Sequence, residues 1–358
     1  MKDILLVGFG AIGAVCSLAL KRGGKARVTV VARSNYDVIK NQGAIFHSST
    51  YGEIQGWRPD RLCKSVAEAA DRSYSHVFIA SKAVPELTKT PEILAPFLRA
   101  PYADKYPQPT YVLLQNGLEV EKDLYKAIVN LDKGEPRVVG TSMHIGANLS
   151  KPNEVVHTIS GPISIGLYRP DDTATTKNTA EEASVLNETE DMISAGGIKV
   201  EVVPQIRWAK FRKNIINVTF ASITALTRYP LPALYRPPPT QETGPYEPFV
   251  HPVTKDKIAT YTLPNVKAVM LEMLALGHAI GIPDWNEGIT TSHIEATLKL
   301  VISLHERADS VHKPSMMLDV ENGLPLEVEP ILGEVVRLAE QYKVDIPVGV
   351  NACQSRGS

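Results

Sequence analysis

Charge imbalance, paired cysteines and a membrane-length apolar run are all missing from this 358-residue chain. Its 38 basic residues stand against 39 acidic ones, a formal net charge of -1, so the sequence offers no basic face to a nucleic acid or another polyanion. Cys16, Cys63 and Cys353 are widely spaced and odd in number, and no C-x-x-C pair occurs. A disulfide framework or a cysteine metal site is therefore not expected, and a reducing, cytoplasmic compartment fits. The uncharged stretch from Ile4 to Leu20 is short for a membrane span, contains three glycines and lacks the basic flank and cleavage pattern of a signal peptide. No membrane association is expected. What remains is ordinary for a globular protein: 44% hydrophobic residues, 22% charged residues and a length that favours two domains.

What is present begins at residue 4. Ile4 to Val7 reads as a short buried strand that runs into Gly8-Phe9-Gly10-Ala11-Ile12-Gly13, and an apolar helical run follows from Ala14 to Leu20. Strand, G-x-G-x-x-G and helix in that order form the dinucleotide-binding turn. The first glycine makes the turn, the second lets backbone approach a pyrophosphate, and the third lets helix and strand pack closely.

Further β-branched runs lie at Arg27 to Arg33, His76 to Ala80, Tyr111 to Leu114 and Arg137 to Gly140, with helical patterns at Val66 to Ala70, Glu86 to Arg99 and Val120 to Val129. Pro91 or Pro96 is expected to break the second of these helices. This alternation predicts an α/β fold, a Rossmann-type doubly wound sheet whose ligand lies beyond the carboxyl ends of the strands. At the second strand end stands Arg33, with Ser34 and Asn35 beside it as further donors. A basic residue there accommodates the 2′-phosphate of NADP, whereas NAD calls for an acidic one. Lys82 and Asn116 follow two more strands, where they can reach a cofactor or a substrate oxygen. A solvated lysine and an Asn-Gly turn are the plainer alternatives.

The segment from Val155 to Tyr168 reads as a hairpin turning at Gly161-Pro162, followed by a helix (176–195) and a strand (198–203). From Ile206 to Thr227 the helical pattern is unbroken. Domains are therefore expected at 1–204, binding NADP, and at 205–358, all-helical, with helices near 265–280, 292–307 and 329–342. Eight prolines between Tyr229 and Pro252 mark an extended or partly disordered insertion spanning about 229–260.

On the helix from Ile206, Lys213 and Asn217 are four apart and share a face, and Lys210 and Asn214 form a second such pair. A lysine there can donate a proton to a carbonyl oxygen while an asparagine one turn on fixes that oxygen. A solvated basic face accounts for the pattern equally. Beyond residue 314 comes Ser315-Met316-Met317-Leu318-Asp319, then Gly323, Pro325, Glu327 and Glu329, the last two suited to a helix start.

These motifs together resemble the ketopantoate reductase family (2-dehydropantoate 2-reductases), with its 6-phosphogluconate-dehydrogenase-like C-terminal domain. The resemblance implies reduction of 2-dehydropantoate to D-pantoate by NADPH, as in pantothenate biosynthesis. It further implies Lys213 as general acid, because that register runs gaplessly to Thr224-Ala225-Leu226, and Glu327 as the acid that orients it. Lys210, matched through Trp208-x-Lys210, is the alternative and needs three extra residues before Ala225-Leu226. Asn116, Asn217 and Ser315 would bind substrate. Gly8 to Gly13, Arg33, Lys82 and Asn116 would bind the cofactor. Ala221 and His312 stand where the family carries asparagine, and the Pro-rich insertion has no counterpart. A bulkier 2-keto acid or specialised-metabolite ketone, or NADP binding without catalysis, therefore stay open, as does a homodimer beside a monomer.

Overall fold

A computed structural model describes residues 1–285 and 287–347. Cys353 and the rest of the segment after Pro347 lie outside the described residues. The chain divides into two compact units, Met1–Lys210 and Phe211–Ser358. The division falls inside a helix, six residues beyond the expected boundary at 204.

The first unit is built on a sheet of ten strands among the described residues. They are β1 (Lys2–Val7), β2 (Ala26–Val31), β3 (Ala44–Ser48), β4 (Gly52–Trp57), β5 (Arg61–Cys63), β6 (His76–Ile79), β7 (Thr110–Leu113), β8 (Val138–Lys151), β9 (Glu154–Leu167) and β10 (Val200–Val202). The order is β4-β3-β9-β8-β7-β6-β1-β2-β5, with β10 beside β9. From β5 to the start of β8 every pairing is parallel. Between the strands run α1 (Ala11–Arg22), α2 (Tyr36–Gln42), α3 (Val66–Ala69), α4 (Thr90–Ile93), α5 (Tyr102–Lys105) and α6 (Lys122–Val129), and α7 (Ala180–Ser194) follows the hairpin.

Strand residues alternate between two cores. Ile4, Leu6, Val28, Val30, Phe78 and Val112 face one way, against α1 and α7. Leu5, Val7, Val77, Ile79, Tyr111 and Leu113 face the other, with Leu94, Phe97 and Leu124. A sheet covered on both sides explains why these strands read as continuous apolar runs.

Register then places the site. Val7 lies opposite Val31 and Ile79, and Ile79 opposite Leu113. The residues that follow these strand ends, Gly8, Ala32, Ala80 and Leu114, therefore come out along one edge of the sheet. β1 sits between β2 and β6, so the order in which strands are added to the sheet reverses there, where such sheets bind ligands.

Two expectations are corrected. Gly161-Pro162 is no turn: β9 runs straight through it, and the hairpin turns between Lys151 and Glu154. The ladder with β8 slips between Met143 and Ile145, so the pair lies opposite a bulge where the missing proline N–H costs no ladder bond. A side chain on Gly161 would meet the His144 carbonyl oxygen at 2.3 Å. The stretch 86–99 forms only the single turn α4, with Pro91 in its first turn, where the absent N–H is harmless. Strands β3 to β5 had no visible signal, being short and half polar.

Helix α8 (Ile206–Ile216) crosses from the first unit to the second. In the second unit a π turn (Asn217–Ala221) and α9 (Ser222–Thr227) continue it, followed by α10 (Leu263–Ala279), α11 (Thr291–His305), α12 (Ser315–Glu321), a π turn (Glu329–Gly333) and α13 (Glu334–Tyr342). The Met/Leu stripe of α10 is core, with Val266, Met270, Met273 and Leu276 buried. Hydroxyls of Thr219, Ser222, Thr224 and Thr227 each donate to the carbonyl four residues back, at 2.7–2.9 Å. Such back-bonding satisfies carbonyls that a π turn displaces.

The Pro-rich insertion is ordered, around one buried cation. Arg236 is fully buried, its guanidinium donating to the carbonyls of Pro248 (Nε, 2.7 Å) and Arg307 (Nη1, 2.5 Å) beneath the Tyr246 ring at 4.7 Å. Among the described residues no helix is long and apolar enough to cross a membrane, and no group of three or more His, Cys, Asp and Glu could hold a metal ion.

Candidate active site

The glycine loop meets the steric demands of a dinucleotide turn. Gly8 takes φ +99°, and a Cβ on it would sit 2.7 Å from the Ser81 nitrogen. A Cβ on Gly13 would lie 2.0 Å from the Gly8 carbonyl oxygen, so α1 can pack this closely on β1 only with glycine there. Around Gly10 nothing lies within 4 Å of such a Cβ. That open space, at the start of a helix with no acidic residue in its first turn, suits a pyrophosphate. The Ser81 hydroxyl, buried beside Gly8, has no hydrogen-bond partner among the described residues. The loop thus fits a dinucleotide.

Two polar residues hold the loops in place, in a role the sequence did not disclose for either. Asn35, 6% exposed, donates through Nδ2 to the carbonyl oxygen of Phe9 at 2.7 Å and of Pro152 at 3.2 Å. It ties the end of β2 to the glycine loop and is not, as expected, a donor toward a 2′-phosphate. Gln115, also buried, donates to the Ser81 carbonyl at 3.0 Å and so joins the turns after β6 and β7. Their only sequence signal was position after a strand. Arg33, Ser34 and Lys82 are exposed at this edge and Asn116 is half-buried. Phe9 stacks on Trp57 of β4, 5.9 Å between centroids. Cys16 on α1 is a core thiol, as expected, pushed up to about 12 by burial.

The two lysines of α8 part company. Lys210 is buried and paired with Glu121, their side chains 5% and 2% exposed. Lys213, three residues on, is half-buried, as is Asn217 at the head of the π turn. Asn214 is buried and donates to the Ile331 carbonyl at 2.9 Å, which fastens α8 to the second π turn. Glu327, 7% exposed, lies just before that turn. Ser315 opens α12 and is exposed, and α12 packs against α9. The C-terminal candidates Lys213, Asn217, Ser315 and Glu327 thus sit on neighbouring elements of the second unit. Gly8–Gly13, Arg33, Lys82 and Asn116 sit on one sheet edge of the first. His312, three residues before Ser315, stacks on His305 at 4.9 Å. Ala221, where an asparagine was looked for, is buried at the end of the π turn.

Two family models match this chain, "Ketopantoate reductase PanE/ApbA" over residues 4–170 and its C-terminal domain over 258–350. The chain belongs to the ketopantoate reductase family. An uncharacterized protein of Saccharomyces cerevisiae is 27% identical over 97% of this chain and 90% of its own length. The 2-dehydropantoate 2-reductase of Geobacter metallireducens superposes with a TM-score of 0.75 at 21% identity, covering 98% of each chain. A D-mandelate dehydrogenase solved with NADH and anilino(oxo)acetate does so at 0.67 and 18% identity, over 98% of this chain and 96% of the other. Ketopantoate reductases are oxidoreductases acting on CH–OH groups and bind a nicotinamide cofactor. The unmatched residues 171–257 include α8 and the Pro-rich insertion.

Proposed function

We propose that the protein reduces a small 2-keto acid with NADPH, 2-dehydropantoate being the leading substrate and D-pantoate its product. The observation that carries this reading is Glu327, a carboxylate buried beside the turn to which Asn214 fastens α8. A buried carboxylate needs a cation or donors, and a lysine general acid needs a group that keeps it charged and oriented.

Gly8 to Gly13 hold the pyrophosphate of the cofactor, Arg33 pairs with its 2′-phosphate, and Lys82 and Asn116 hold its sugar and nicotinamide end. When bound, the nicotinamide supplies a hydride to the C2 carbonyl carbon. Lys213 donates a hydrogen bond to the carbonyl oxygen and passes its proton there as negative charge develops. Glu327 holds the ammonium in place, Asn217 fixes the same oxygen, and Ser315 with Asn116 binds the substrate carboxylate. The exposed Arg33, with no acidic residue at the end of β2, supports NADPH over NADH. Ala221 is smaller than the asparagine looked for there, which supports 2-keto acids bulkier than ketopantoate as further substrates.

The test is pyridine-nucleotide consumption with 2-dehydropantoate and a panel of bulkier 2-keto acids, using NADPH and NADH. Lys213→Ala should lower kcat by about 10²–10⁴-fold, the usual contribution of a general acid, while NADPH still binds by fluorescence. Turnover unchanged in Lys213→Ala would remove that residue from the role. NADPH binding without consumption across the panel would make the protein a non-catalytic binder.

A further inference from the structure

We propose that Glu119 and Glu121 act as a two-point clamp that fixes α8, and through it Lys213, to the segment carrying Asn116. The inference rests on Lys213 being the general acid. Both glutamates follow within four residues of Gly117 in the chain. Glu119 accepts from Arg207 of α8 at 2.8 Å, with side chains 12% and 18% exposed, and Glu121 pairs with Lys210 in near-complete burial. Arg207 and Lys210 are three apart, on one face of the helix.

Three other features shape the clamp. The Glu119 backbone is held in the left-handed region at φ +55°. Its second carboxylate oxygen accepts from the Tyr168 hydroxyl at 2.7 Å. Opposite Glu121, β8 carries Gly140, where a Cβ would come within 2.7 Å of Glu121 Oε1.

A pair buried this deeply contributes little net stability, since removing two charges from water offsets their attraction. A well-packed apolar pair of similar volume is often no less stable. What the pair does enforce is position. Neither a slide nor a rotation of α8 on the Asn116 segment is open without stripping a buried charge of its partner. Glu119, Glu121, Arg207 and Lys210 are therefore positioning residues, acting through Lys213 and Asn116.

The experiment compares Arg207→Met, Arg207→Lys and the double variant Glu121→Met/Lys210→Met with the wild type, each loaded with NADPH. Expected are melting temperatures within a few degrees of wild type and a kcat lowered about 10- to 100-fold, the scale of a misplacement near 1 Å. The keto-acid KM should change less than about 3-fold, as when an interaction specific to the transition state is lost. The alkaline limb of the kcat–pH profile should persist, because Lys210 is not the acid, and Arg207→Lys should recover most of the rate. A stably folded Arg207→Met or double variant with wild-type kcat would overturn the clamp. Should the double variant not fold, the Arg207 pair of variants decides alone. Loss of the alkaline limb in the double variant, with turnover retained in Lys213→Ala, would overturn both the assignment of the acid and the clamp, because Lys210 would then be the acid and not a positioning residue.

Discussion

His76 lies in the middle of the first unit's sheet with 2% of its surface exposed, its Nε2 3.3 Å from the Thr189 hydroxyl. Burial depresses its pKa from 6.5 to about 4, the nearby Glu188 opposing this only in part. A histidine that stays neutral in the fold but takes up a proton on unfolding makes the unfolded chain the better proton binder between these values. Stability from this group is therefore complete above about pH 6.5 and declines as pH falls toward 4, by roughly 3 kcal/mol in all. Urea unfolding at pH 7 and at pH 4.5 should show this loss, and His76→Gln should flatten the difference. At this scale the sequence spoke unevenly. The three glycines of the loop announced their roles, because each has a steric reason that survives in any context. Asn35 did not, since an asparagine after a strand is equally suited to grip a ligand or a backbone carbonyl. Lys210 and Lys213 were separable only by their spacing to Thr224-Ala225-Leu226. The buried partner that distinguishes Lys210 lies 89 residues away in the chain.

At the scale of elements, α1 and β1 are locked by contacts that tolerate no added carbon. Gly13→Ala would drive a methyl against the Gly8 carbonyl, and an overpacking cost of about 1–3 kcal/mol should appear as a lower melting temperature in the protein without nucleotide. Gly10→Ala makes the contrast. With open space around it, stability should shift by less than about 1 kcal/mol, while NADPH affinity, measured by fluorescence titration, falls as the methyl occupies the phosphate's approach. Equal melting losses in both variants would contradict this division of labour. Parallel strands and long helices were legible here because apolar runs and 3.6-residue periodicity are local signals. The strand through Gly161-Pro162 was not, because a bulge in its neighbour is what makes proline acceptable there. The π turn at Asn217 was equally hidden. Its back-bonded hydroxyls are visible in the sequence, but Ser and Thr in a helix have many other uses.

Taken over the whole molecule, the doubly wound sheet and the helical C-terminal region could be read from pattern, whereas order within the Pro-rich insertion could not. Proline density reports that no helix or central strand forms. It is silent on whether irregular chain is held down, and here the buried arginine does so together with the Tyr235 hydroxyl, which donates to the Val301 carbonyl at 3.1 Å. Arg236→Ala would leave the carbonyls of Pro248 and Arg307 without their donor and should destabilise the second unit by about 2–5 kcal/mol. Chymotrypsin should then cut at Tyr246 or Phe249, and persistent resistance would show that the insertion is held by other means. The same arginine also has a consequence in time. Its carbonyl partner at Arg307 lies 71 residues onward, past α10 and α11, so the contact carries a loop-closure cost that the local turns of those helices do not. Residues 229–252 are thus expected to become native after α10 and α11 rather than with them, and their protease sensitivity during refolding should outlast the recovery of helical signal.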